Sequence, residues 1–246
     1  MSAAPTEPRA SRDLAAVLVA LVLPTAVTWL YFFEARNWSK EAQLGVFSVV
    51  KTVQFALPIV WVWLVQKARP SLRPPGTQGV GTGLAFGAVV ACATLALYWG
   101  ALRGSDLVAL ATPAIRAKVT GAGLNSLVAY AAVGVFYSLL HSLLEEYYWR
   151  WFVYGQLRRW TSLFTANVIS SIGFMAHHVL VLGFYFGFTN PATYVLASCI
   201  AIGGAAWAWL YQRSGSLVGS WLSHMLVDAA IFVIGYDLVR GTFIRV

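Results

Sequence analysis

Val135-Phe136-Tyr137-Ser138-Leu139-Leu140-His141-Ser142-Leu143-Leu144-Glu145-Glu146-Tyr147-Tyr148-Trp149-Arg150 lies inside a longer apolar run. It has the composition of a membrane helix, yet its last six residues hold two adjacent carboxylates and a guanidinium. A charged side chain at the centre of a bilayer costs at least about 2.5–3.5 kcal/mol on insertion scales. Keeping three of them in such a run points to a use for them. Two further polar islands occur downstream in apolar surroundings, His177-His178 and His224 with Asp228.

Working outward, the whole chain reads as membrane protein. Of its 246 residues, 59% are hydrophobic and 11% charged, where soluble domains carry about 25% charged residues. Eleven Trp and eleven Tyr suit aromatic belts at the two interfaces. A helix needs about 20 apolar residues to cross the hydrocarbon. Seven segments meet that length: 14–33, 44–66, 79–102, 124–152, 163–185, 192–212 and 216–237. The fold expected is therefore an all-α, polytopic transmembrane bundle of about seven spans, with the polar islands buried among the last four. The fourth segment is long enough to project past the membrane at its C-terminal end. Pro24 and Pro58 fall inside predicted helices, which membrane bundles tolerate when neighbours satisfy the freed carbonyls.

The first segment follows a polar stretch with Arg9 and Arg12, and its apolar run continues past Pro24 to Phe33 without a small-x-small cleavage site. It reads as an uncleaved span. Four parts follow: a polar tail (1–13), three N-terminal helices and loops (14–123), a helical core bearing the polar islands (124–237) and a C-terminal tail (238–246). The net charge of +8 sits mostly in short loops, so orientation and anionic lipid account for it and nucleic acid is not an expected partner. Lys67, Arg69 and Arg73 fill the second loop, Arg158 and Arg159 the fourth and Arg213 the sixth. Arg103, Arg116 and Lys118 lie in the third, and 186–191 carries no charge. The balance favours a cytoplasmic N-terminus and an external C-terminus. Cys92 and Cys199 form no metal or disulfide spacing.

Each island has a bland and a chemical reading. On a helix, residues i and i+4 share a face. Tyr137, His141 and Glu145 make one stripe, and Ser142, Glu146 and Arg150 the next. Glu146 can pair with Arg150, which leaves Glu145 as the carboxylate free for chemistry. The bland alternative is an interfacial charge cluster, and His141 reads as a satisfied core group. His177 and His178 point about 100° apart, so at most one faces a given pocket directly, and position alone does not choose between them. Ser220, His224 and Asp228 share a stripe, where Asp228 can accept the Nδ1 proton of His224 and present Nε2 to a reactant. A self-neutralised pair joining two helices is the bland version. Three such islands together favour a buried hydrolytic centre.

In this order the islands resemble the three motifs of the CPBP family of intramembrane proteases, which includes the CAAX prenyl endoproteases and bacterial bacteriocin-processing or immunity proteins. The motifs are EExxxR, FxxxH and HxxxN. Here they read Glu145-Glu146 to Arg150, Phe174 to His178, and His224 to Asp228, with Gly215-Ser216-Leu217 similar to the family's entry into the last helix. The departure is Asp228 where the family most often has Asn: an ionised Asp accepts hydrogen bonds and cannot donate them.

The resemblance implies an intramembrane endopeptidase of glutamic type. Glu145 with His178 would activate water, and His224 with Asp228 would stabilise the oxyanion. Glu146, Arg150 and Phe174 would support them. It implies no cofactor; the zinc alternative would use Glu145, His178 and His224 as ligands. The expected partners are the lipid bilayer and a membrane-anchored protein or peptide, cut in the manner of a CAAX sequence, a leader or a C-terminal tail. The expected location is a multi-pass position in a bacterial inner membrane. Competing readings are a non-catalytic scaffold or bacteriocin-immunity protein of the same family, and a proton-coupled transporter. The transporter would show paired broken helices, which the sequence lacks.

Overall fold

The computed structural model describes residues 7–68 and 76–243, with the side chains of 7–10 left out. The loop charges Arg69 and Arg73, the Arg9 side chain and the ends of both tails fall outside that description. Among the described residues the chain is helical throughout, and seven helices are long and apolar enough to span a membrane. In chain order the helices are α1 (Ser11–Asn37), α2 (Lys40–Val65), α3 (Val80–Leu102), α4 (Asp106–Gly121), α5 (Leu127–Leu157), α6 (Leu163–Phe186), α7 (Pro191–Ser214) and α8 (Val218–Thr242). All are spans except α4.

Local chemistry sets where they begin. The side chains of Ser39, Ser105, Ser126, Ser162 and Asn190 accept from backbone N–H groups of the first turns of α2, α4, α5, α6 and α7. Ser216 does the same for Val218 at the start of α8. Gly215, at φ 66°, takes the left-handed conformation that closes α7 and turns the chain into α8.

Helix begins at Glu7, within the stretch read as a polar tail, and a 3₁₀ turn runs through Thr242. Asp13, assigned to the polar tail, is buried: it accepts from Trp61 Nε1 at 3.0 Å and pairs with Arg159 at 2.9 Å. The third loop is itself a helix, α4. It is capped by Ser105 and carries Asp106, Arg116 and Lys118, which made it too polar to stand out as a span.

Pro24 interrupts the hydrogen-bond ladder of α1 and frees the Ala20 carbonyl. Tyr148 of α5 donates its hydroxyl to that oxygen at 2.8 Å, so the break is satisfied from the helix that carries the glutamates. α3 packs most extensively against α8. Gly79, Gly83 and Gly87 recur at every fourth position of that face. A Cβ at Gly83 would overlap the Gly219 carbonyl, and one at Gly87 would lie 2.7 Å from Ser223 Cα. This is small-residue packing of the kind membrane helices use for close backbone approach. It fixes the turn of α8 that carries His224 against α3.

Candidate active site

α5 changes its winding around the glutamates. Phe136–His141 and Tyr147–Tyr154 run in wide π turns, with an ordinary α turn, Ser142–Glu146, between them. Such turns recur at functional sites. The two stripes expected on this helix still form. His141 Nδ1 is 4.0 Å from Glu145 Oε2, and Arg150 Nη1 is 3.3 Å from Glu146 Oε1.

The three islands come together. Glu145, 5% exposed, is approached by imidazoles from three helices: His141 of α5, His177 Nε2 of α6 at 3.6 Å and His224 Nε2 of α8 at 3.7 Å. These gaps exceed a direct hydrogen bond and suit a bridging water. Glu146 is fully buried. It meets Arg150 on one side and His224 Nδ1 at 3.0 Å on the other.

Arg150 is itself buried and has no second carboxylate among the described residues. Its Nη2 donates to the Gly204 carbonyl at 3.3 Å. Its guanidinium lies 4.7 Å from the Phe174 ring centre and 5.1 Å from that of Trp207. Desolvated cation–π contacts of this kind contribute roughly 2 kcal/mol or more. Trp207 also stacks on His224 at 4.1 Å and donates its indole N–H to Ser223 at 2.9 Å. One indole therefore holds both the guanidinium and the imidazole.

The structure departs from the sequence reading at two atoms. His178, which the FxxxH pattern selects, turns Nδ1 to the Phe174 carbonyl of its own helix at 2.9 Å. The imidazole that meets Glu145 from α6 is that of its neighbour His177, buried with Trp149 stacked parallel at 6.0 Å; His178 lies behind it at 4.0 Å. One residue along a helix is 100° of rotation, and the packing of α6 on α5 sets which of the pair faces inward. The second departure concerns His224. Its Nδ1 goes to Glu146, across the bundle, and Asp228 lies near Nε2 instead, with Oδ1 at 3.6 Å. A carboxylate already held by Arg150 takes the position expected for Asp228.

Ser142 and Ser220 are buried on the stripes where the spacing put them, and Phe174 is the apolar hub touching Trp149, Arg150, Trp207 and His224. Trp207 was not singled out from the sequence, where it is one Trp among eleven. Among the described residues no group of three or more His, Cys, Asp or Glu side chains has the arrangement of a metal site. Of the set Glu145, His178 and His224, the structure brings Glu145 and His224 together, and the imidazole it places beside them from α6 is that of His177.

The family model described as Type II CAAX prenyl endopeptidase Rce1-like matches residues 125–230. Over those residues the chain is similar to this protease family. The matched segment opens at the start of α5 and closes in α8, so it contains all three islands and leaves α1–α4 outside. The similarity lies in the part of the chain that carries the polar islands, and the seven long apolar helices are those of a multi-pass membrane protein. No curated protein and no solved structure matches it.

Proposed function

We propose that the chain is a metal-independent endopeptidase that hydrolyses a peptide bond near the C-terminus of a membrane-anchored protein, with Glu145 as the water-activating base. The observation that carries this is the Glu145 carboxylate ringed by three imidazoles at 3.6–4.0 Å within the bundle. A water bound between Glu145 and His177 attacks the scissile carbonyl carbon and gives its proton to Glu145. The tetrahedral oxyanion accepts a hydrogen bond from His224. In its doubly protonated form that ring keeps Nδ1–H on Glu146 and presents Nε2–H on the side of Glu145. Collapse breaks the C–N bond, and Glu145 returns the proton to the departing amine. General acid–base catalysis of this kind contributes about 10²–10⁴-fold, and a preorganised oxyanion donor contributes further.

The remaining side chains position these groups. Arg150 and Trp207 hold Glu146 and His224. Asp228 lies beside Nε2 of His224 and steadies the ring from that side. His178 backs His177.

The test compares the C-termini of membrane proteins in cells carrying the wild type and Glu145→Gln. Tails that persist only in the variant identify the substrate. Identical termini in the two strains, with both proteins present at equal levels, would favour the scaffold or immunity reading.

A further inference from the structure

Arg36 at the end of α1, Lys40 at the start of α2 and Lys118 of α4 line one cavity of about 460 Å³. Both α1 and α2 are spans, so the turn joining them lies at a membrane surface, at the depth of lipid headgroups. Several cations elsewhere are answered from within the molecule: Arg103 and Arg159 meet carboxylates, and Arg116 and Arg158 donate to backbone carbonyls. The three around this cavity make no ion pair and no side-chain hydrogen bond among the described residues. Glu34 and Glu41, the acidic residues nearest Arg36 and Lys40 in the chain, are exposed and do not line it.

Local geometry shapes the space. α1 loosens into a π turn at Leu30–Glu34 and a 3₁₀ turn at Ala35–Asn37. Gln43 of α2 donates to the Tyr31 and Ala35 carbonyls at 3.2 and 3.3 Å and so pins the two helix ends together. Lys118 reaches across from α4, its ammonium 3.7 Å from the Tyr31 ring centre and 5.0 Å from that of Phe32. Burial without a counter-charge holds that ammonium below its ordinary pKa. Lys40 Nζ comes in beside Gly123, just past the end of α4, where a Cβ would lie 3.5 Å from it. The rest of the wall is apolar, with Phe32 and Phe184 inside and Trp38 and Leu44 at the exposed edge. A phosphate answers the cations, but a free phosphate leaves the apolar part of the wall to water. A phospholipid covers both.

We propose that this cavity binds an anionic glycerophospholipid, with its phosphate among Arg36, Lys40 and Lys118 and the upper part of its acyl chains against Trp38 and Leu44. Basic pockets between membrane helices take such headgroups. Bound there, the lipid ties α4, which does not span, to the ends of α1 and α2. The inference goes beyond the endopeptidase reading and does not depend on it. One basic group near a membrane surface contributes about a fivefold preference for anionic lipid, so three amount to roughly 100-fold.

The experiment places the full chain in nanodiscs with equal amounts of phosphatidylcholine and phosphatidylglycerol. Native mass spectrometry then counts the lipids that stay with the protein. The wild type should retain phosphatidylglycerol over phosphatidylcholine by about tenfold or more. The triple variant Arg36→Gln, Lys40→Gln, Lys118→Gln should retain the two alike. Arg36→Gln and Lys40→Gln alter exposed side chains, and each alone should lower the preference about fivefold, while Lys118→Arg should keep it. Arg213→Gln, which removes a cation lying over Trp209 instead, should match the wild type. An undiminished preference in the triple variant, or an equal loss in Arg213→Gln, overturns the assignment.

Melting of the detergent-solubilised protein distinguishes the lipid from its headgroup alone. Saturating dioctanoyl phosphatidylglycerol should raise Tm by about 5 °C or more in the wild type and not in the triple variant. Inorganic phosphate at the same concentration should leave Tm unchanged; an equal rise would make this a site for soluble anions and refute the lipid. Displacement of the retained phosphatidylglycerol by a short oligoglutamate peptide would assign the cavity to an acidic protein partner and refute it as well.

Discussion

Replacing Arg150 by methionine keeps most of the side-chain volume and removes the only guanidinium in the bundle core among the described residues. Glu146 then remains fully buried, with Nδ1 of His224 as its one close polar partner. Removing one member of a buried ion pair costs about 3–5 kcal/mol, because the other charge is left uncompensated. The aromatic contacts of Arg150 to Phe174 and Trp207 disappear with it and place the loss toward the upper end. For a chain of this size each kcal/mol moves Tm by roughly 2–4 °C, so a fall of roughly 6–20 °C is expected. Tryptophan fluorescence during heating of the solubilised protein reads it directly, since Trp149 and Trp207 lie against the altered position. Adding Glu146→Gln to Arg150→Met should recover most of the loss, because removing both charges of a buried pair is often neutral, and a Gln oxygen still accepts from His224. A single variant within about 2 °C of wild type, or a double variant no more stable than the single, would refute the ion pair as the support of this site.

Three other outcomes are expected. His177→Gln should lower kcat/KM by about 100-fold or more and His178→Gln by less than about tenfold; equal losses, or the reverse order, would return the water-facing role to His178. Gly83→Ala should destabilise by about 1–3 kcal/mol, since the new methyl meets the Gly219 carbonyl; an unchanged melting curve would show that α3 and α8 do not touch there. Dialysis against EDTA and phenanthroline should leave activity intact, and a loss restored by zinc alone would reinstate metal ligands around Glu145.

The spans were legible because the bilayer imposes length and polarity on each one, and the seven expected segments coincide with the seven helices to within a few residues. α4 escaped because a 16-residue charged helix that does not span answers to neither constraint: its Lys118 ammonium sits 3.7 Å from the Tyr31 ring and Arg116 Nε donates to the Leu238 carbonyl, contacts with no periodic signature. The convergence of Glu145 with histidines of other helices was legible from three polar islands in apolar runs. The choice of histidine was not. Rotation of α6 about its own axis is tied to its packing on α5, where Trp149 stacks against His177, and a motif written as a spacing carries no such information. For the same reason the spacing from His224 to Asp228 was right while the nitrogen was not. Ring orientation followed from Glu146, which is remote in the chain. Trp207 belongs to no motif.

The glycine row of α3 bears on how proteins of this architecture can be recombined. Residues 125–230 look like a self-sufficient module, but the last helix of that module lies against Gly83 and Gly87, where the neighbouring backbone leaves room for hydrogen alone. A chimera that grafts the module onto foreign leading helices must import a matching row of small residues, in register with Gly219 and Ser223. A donor with bulkier side chains at those two positions would push the eighth helix outward and tilt its histidine away from the glutamate.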